Sequence, residues 1–201
     1  LMGIIEHIQA HSQLALNELT QRVADAALDN ARGNSGVIMA QFFQGLSQGL
    51  EPFAAVNTSQ FAGASKLAVD EAYTALMNPI EGTILSVLRA WSDSFIEASS
   101  TSPDFQKVWR ISLAAAKAAL DSTPDQLKVL KDAGVVDAAG RGFLCILEGI
   151  MAFMDTGDIK QLPKIEAGMS ATVLDFQDLS NTALIYPFCT ECIVVAEEIP
   201  R

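Results

Sequence analysis

Residues 29–50 read DNARGNSGVIMAQFFQGLSQGL, a small and polar stretch that gives way abruptly to an apolar run. Met39, Phe42, Phe43 and Leu46 recur at i, i+3, i+4 and i+7, the spacing of one helix face. The pattern predicts a helix over 37–50 that ends near Gly49, with Pro52 breaking the chain after it. Residues 29–36 are too rich in turn formers for a core. Glycine there lets the backbone approach a ligand closely. The unpaired N–H groups and partial positive charge of the following helix point outward. Such a junction cradles a phosphate or simply starts a helix, and both readings stand on sequence alone.

The same periodicity continues on both sides. Leu1, Ile4, Ile5 and Ile8, then Leu16, Leu19, Val23, Ala26 and Ala27, predict a helix from Leu1 to about Leu28. Because the sequence opens inside this pattern, without Met or an N-cap residue, it is expected to be a fragment. Downstream, Thr58 or Ser59 is expected to cap a helix carrying Phe61, Leu67 and Tyr73. Another is expected to follow Thr83 with Leu88, Trp91 and Phe95. The Ser/Thr run 99–102 reads as a loop. Pro103 and Pro124 mark the first positions of two more helices, and Phe143 to Phe153 is the last strong helical run.

About seven helical segments joined by short loops define an all-α class, an antiparallel helical barrel or bundle over residues 1–157. Residues 158–182 are polar and aperiodic, as in a linker. In 183–201, the runs 183–186 and 192–195 are β-prone. They are read as the start of a following domain, the alternative being a strand pair packed on the bundle.

Composition narrows the function. Half the residues are hydrophobic but only 7% are aromatic, which suits closely packed helices. The net charge of −11 and the lack of a basic cluster exclude a nucleic-acid binder of the usual kind. No apolar run reaches the ~20 residues of a membrane span. The three cysteines (Cys145, Cys189 and Cys192) have no disulfide-scaffold spacing, and no basic signal-peptide region opens the sequence, so the cytoplasm is expected. His7 and His11 lie at i, i+4 without a third ligand. Cys189 and Cys192 form a lone C-x-x-C. A solvated face and structural cysteines are the simpler readings of these pairs.

Two further loops share the character of the first. Residues 78–83, Asn-Pro-Ile-Glu-Gly-Thr, and 137–142, Asp-Ala-Ala-Gly-Arg-Gly, each place small or polar residues before an apolar helix. Thr83 and Asp137 can cap those helices or meet a ligand, with the same sequence either way. None of the three is a Walker loop.

Taken together, residues 31–38, 78–85 and 133–143 resemble the successive motifs of the L-type dihydroxyacetone kinase domain family, most of all in the ATP-binding subunit of bacterial fatty acid kinases. The likeness covers residues 1 to about 157, and Tyr186 to Glu191 is similar to the entry into that subunit's next domain. It implies ATP bound at one end of the helices. Asn34, Ser35 and Gly36 would lie at the phosphates, Gly82 and Thr83 would line the nucleotide, and Asp137 with Gly140 would close the far side. It also implies Mg²⁺ held by clustered aspartates that precede the first helix in the family, and these residues are expected upstream of Leu1. The implied reaction is phosphoryl transfer to a fatty acid presented by a separate acyl-binding protein, with possible homodimerisation through downstream domains. Dihydroxyacetone kinase activity, or a non-catalytic helical interaction module, are the alternatives.

Overall fold

A computed structural model describes residues 14–157, and among them every regular element is a helix. These are α1 (Leu16–Asp29), α2 (Gly33–Leu50), α3 (Thr58–Thr74), α4 (Ile84–Thr101), α5 (Phe105–Asp121), α6 (Thr123–Gln126), α7 (Lys128–Ala133) and α8 (Ala138–Thr156). The all-α expectation therefore holds. The two histidines, the linker and the β-prone tail lie outside the described residues. No helix among those described is long and apolar enough to cross a membrane.

Contacts give the helix directions. Phe61 meets Phe95 and Ser65 meets Ser92, so position rises along α3 as it falls along α4. Trp91 with Trp109 and Phe95 with Phe105 place α4 and α5 antiparallel as well. The Trp109 indole N–H donates to the Leu147 carbonyl at 3.1 Å, and Gln106 reaches Asp155, which sets α8 antiparallel to α5. By contrast, Gly140 lies against Val87 and Phe143 against Trp91, so α4 and α8 run parallel and start at the same end.

The few aromatic residues are concentrated where these helices meet. Phe42, Phe61, Trp91, Phe95, Phe105, Trp109 and Phe143 pack mostly edge to face or tilted, as ring quadrupoles prefer. Around them Leu85, Val87, Leu88, Val108, Leu144 and Leu147 are buried. On the α2–α3 side the packing is of a different kind, with glycine and alanine backbones nearly touching.

Several boundaries differ from expectation for local reasons. The first helix does not run unbroken from Leu1, because Ala15 is extended and α1 starts at Leu16. The cap of α3 is Asn57, not Thr58 or Ser59. Its side chain accepts from the Gln60 N–H at 2.9 Å while Gln60 accepts from the Asn57 N–H at 3.0 Å, a reciprocal capping box. Thr58 is buried instead.

Of the Ser/Thr run 99–102 expected as a loop, all but the extended Ser102 form the last turn of α4. Ser99, Ser100 and Thr101 each donate a hydroxyl proton to the carbonyl three residues back. At α5, Asp104 caps and Pro103 lies one residue outside. The helix expected to start at Pro124 is two short ones, α6 and α7, divided at extended Leu127.

Candidate functional site

A cavity of about 210 Å³ opens where α2, α4 and α8 begin. Ser35, Gly36 and Met39 come from the start of α2, Ile84 from that of α4, and Ala139 and Gly142 from that of α8. Phe43, Phe143 and Ile146 supply apolar wall deeper in, with Ala27, Asn30 and Ala31 from the end of α1 and the turn after it. The three loops singled out in the sequence thus feed one site, and each contributes the N-terminus of a helix of 18 or 19 residues. Each such end carries roughly half a positive charge.

The first loop is largely helix. Gly33 has φ +62°, a left-handed conformation that favours glycine, and α2 begins there rather than at Val37. Asn34 and Ser35 are exposed, and their side chains hydrogen-bond to nothing among the described residues. No side chain caps α2. Its first amides are left for solvent or a ligand. Gly36 is packed tightly on the Ala31 backbone, where a Cβ would lie 3.3 Å from the carbonyl carbon. Arg32, also exposed, donates to the carbonyls of Ala31 and Asp29 and forms no ion pair among the described residues.

In the second loop Gly82 is buried at φ +80°. A Cβ there would lie 2.8 Å from Gln126 Cβ and 2.9 Å from Leu127 Cγ, so only glycine fits beneath α6. Its N–H donates to Ser86 Oγ at 2.8 Å. Thr83 is the N-cap of α4, accepting from the Leu85 N–H at 3.4 Å and donating to the Ile80 carbonyl at 2.7 Å.

Glu81 stands at the centre of a hydrogen-bonded group. It accepts both Arg89 guanidinium N–H donors at 2.7 Å, the Tyr73 hydroxyl at 3.1 Å and the Ser86 hydroxyl. Burial alone would raise the Glu81 carboxyl pKa, but donation from Ser86 and Tyr73 and the charge of Arg89 outweigh it and hold the value below its ordinary one. Burial, aided by the Glu81 charge, pushes the Tyr73 hydroxyl up to about 12.

The third loop is held from beneath. Thr123 is fully buried, donates to the Leu120 carbonyl at 2.7 Å and accepts the Asp137 N–H at 3.1 Å. Asp137 in turn caps α8, its Oδ2 accepting the Gly140 N–H at 2.7 Å. Gly140 is buried, and a Cβ there would meet Val87 at 2.9 Å.

Of the seven residues proposed from sequence, Ser35 and Gly36 line the cavity, and Asn34 sits beside them at the exposed helix start. Gly82, Thr83, Asp137 and Gly140 are not among its lining; they shape the loops and first turns that lead to Ile84 and Ala139, with the Gly82 N–H, the Thr83 hydroxyl and the bonded Asp137 oxygen engaged there. Sequence reading missed the lining residues Ile84, Ala139, Gly142 and Ile146, and the supports Glu81, Ser86 and Thr123. Ser86 did carry a signal, as a hydroxyl four residues after Gly82 in an otherwise apolar run. Removing the α8 cap with Asp137→Ala is expected to cost about 1 kcal/mol, read as a lower urea midpoint at unchanged m-value.

Three helix starts around one cavity, fed by these loops in this order, define a domain class, and the chain belongs to the DAK2 domain family, whose model matches residues 1–152. It is therefore a kinase-related helical domain. The chain is 36% identical to an uncharacterized protein of Staphylococcus saprophyticus, over 94% of this chain and 35% of that protein. It is 35% identical to Protein YloV of Bacillus subtilis, over 92% of this chain and 34% of YloV. The chain thus spans about a third of the length of these relatives.

Proposed function

We propose that this domain binds ATP and forms the nucleotide side of a kinase that phosphorylates a fatty acid carboxylate presented by a separate acyl-binding protein. The observation that carries ATP binding is the convergence of the α2, α4 and α8 N-termini on one cavity. In a chain of net charge −11, helix ends are a local source of positive potential for phosphates. Ser35, Gly36 and the uncapped amides of α2 suit phosphate oxygens. The apolar wall of Met39, Phe43, Phe143 and Ile146 suits the flat face of a base.

The described residues fit ATP, but do not by themselves fit a metal. Among the described residues no group of three or more His, Cys, Asp or Glu side chains could hold a metal ion, whereas Mg²⁺ needs carboxylate oxygens in octahedral array. What the described residues offer is binding and in-line positioning of the γ-phosphoryl group. These suffice on the acceptor side, because a carboxylate is already ionised and needs no general base. The choice of a fatty acid as acceptor rests on the motif likeness at residues 31–38, 78–85 and 133–143.

Titration calorimetry of Mg·ATP into the full-length protein tests the binding half. Ser35→Ala and Asn34→Ala are each expected to weaken binding by about 3- to 10-fold, roughly one lost solvent-exposed hydrogen bond. Unchanged affinity in both variants would remove the first loop from the site. Hydroxylamine trapping of an acyl phosphate, with the acyl-binding protein present, tests the acceptor. Phosphorylation of dihydroxyacetone instead would select the small-ketone kinase, and ATP binding without either product would select a non-catalytic module.

A further inference from the structure

We propose that Glu81 is a positioning residue of the nucleotide site, fixing the Gly82–Ile84 segment through Ser86 without itself touching the nucleotide. The inference rests on the ATP-binding reading. Its basis is a chain of hydrogen bonds: the Gly82 N–H donates to Ser86 Oγ, and the Ser86 hydroxyl donates to Glu81 Oε2. Arg89 closes on the same carboxylate bidentately, and the Tyr73 hydroxyl reaches it from α3. Arg89 also lies over the Tyr73 ring, 5.6 Å from its centroid.

The consequence is directional. A serine hydroxyl can donate only one proton, and Glu81 takes it. Ser86 therefore presents a lone pair to Gly82, and the loop backbone is held against the first turn of α4. Two residues on from Gly82, Ile84 lines the cavity.

Glu81 itself is not free to act on a substrate. An ionised carboxylate accepts about four hydrogen bonds, and these four donors (two from Arg89, one each from Tyr73 and Ser86) fill it. An exposed ion pair alone contributes little. This one is bidentate and ties α3, the loop and α4 together, which is a geometric rather than a stabilising role.

Glu81→Gln keeps the shape, removes the charge, and turns one acceptor into a donor facing Ser86 or Arg89. Two readouts on the full-length protein test it, with Lys66→Ala, which breaks the exposed α3 pair to Asp70, as control. The first is amide exchange of the unliganded protein over residues 80–88 by mass spectrometry. The second is the dissociation constant for Mg·ATP, together with KM and kcat.

The expected result is faster exchange confined to that peptide and about tenfold weaker ATP binding, as when the competent loop geometry is populated about a tenth of the time. KM should rise with kcat nearly unchanged, at an unchanged melting temperature. Ser86→Ala should weaken ATP binding at least as much, with a lower melting temperature because the buried Gly82 N–H loses its acceptor, and the double variant should bind no worse than the worse single. Unchanged exchange, or unchanged affinity while the wild type binds ATP, overturns the role of Glu81 and leaves the function standing. A wild type that binds no ATP overturns the function and this role with it.

Discussion

Gly142→Leu is expected to raise the dissociation constant for ATP by about 100-fold or more, roughly 2.7 kcal/mol, while the protein stays folded. Gly142 is in the first turns of α8 and lines the cavity. A Cβ there meets nothing within 4 Å and the position is exposed, so the first side-chain carbon strains no existing contact and the rest has open space to enter. Leucine also gains up to about 1 kcal/mol of helix propensity over glycine, and its side chain finds Phe143 and Ile146 in the same wall. Folding should therefore hold or improve slightly. The new side chain must instead occupy part of a cavity of only about 210 Å³. Gly142→Ala, which adds one methyl, should give an intermediate loss. Calorimetric titration and thermal melting on the same samples separate the two effects. Wild-type affinity in Gly142→Leu would mean that the cavity at the three helix starts is not where ATP binds.

The fold was legible because its signal is repeated. Stripes such as Met39, Phe42, Phe43 and Leu46 have only one reading, and Trp91, Phe95 and Trp109 in neighbouring stripes found one another in the core. Boundaries were less legible, since hydroxyl and amide side chains serve either outcome. Ser99 to Thr101 looked like a loop because serine and threonine compete with helical backbone bonds, yet here they bond back into their own helix.

The same ambiguity affects the site. Residues 33–36 have turn-forming composition, but they form the first turn of α2, and a helix start is what phosphate recognition needs. Their proximity to Ala139 and Gly142 was beyond sequence reading, because it depends on α2 and α8 starting side by side over a long separation in the chain. Thr123 shows the limit most plainly. It sits in a stretch that signals only a helix start, and its hold on Asp137 exists only once α6 has packed beneath the third loop.

Glycines on α2 give the sharpest test of the packing itself. Gly45 and Gly49 are separated by one helical turn and face Ala68 and Ala64 on α3. A Cβ on Gly45 would lie 2.7 Å from the Ala68 Cα and 2.8 Å from the Leu67 carbonyl oxygen. One on Gly49 would lie 2.6 Å from the Ala64 Cα. These neighbours are backbone and Cβ atoms that cannot swing aside, so α2 and α3 would have to move apart.

Alanine at either position gains about 1 kcal/mol in helix propensity. Overpacking costs about 1–3 kcal/mol and more where backbone is struck, so the clash should win. Gly49→Ala is expected to lose about 1–2 kcal/mol net, and the double variant with Gly45→Ala more than either alone. Gly63, on the exposed side of α3, is the matched control, since nothing lies within 4 Å of its Cβ. Gly63→Ala should stabilise by about 0.5–1 kcal/mol, so the same substitution changes sign between the two helices. Urea unfolding of the four variants measures this. A stabilised Gly49→Ala would show that α2 and α3 do not make the close contact on which this side of the bundle depends.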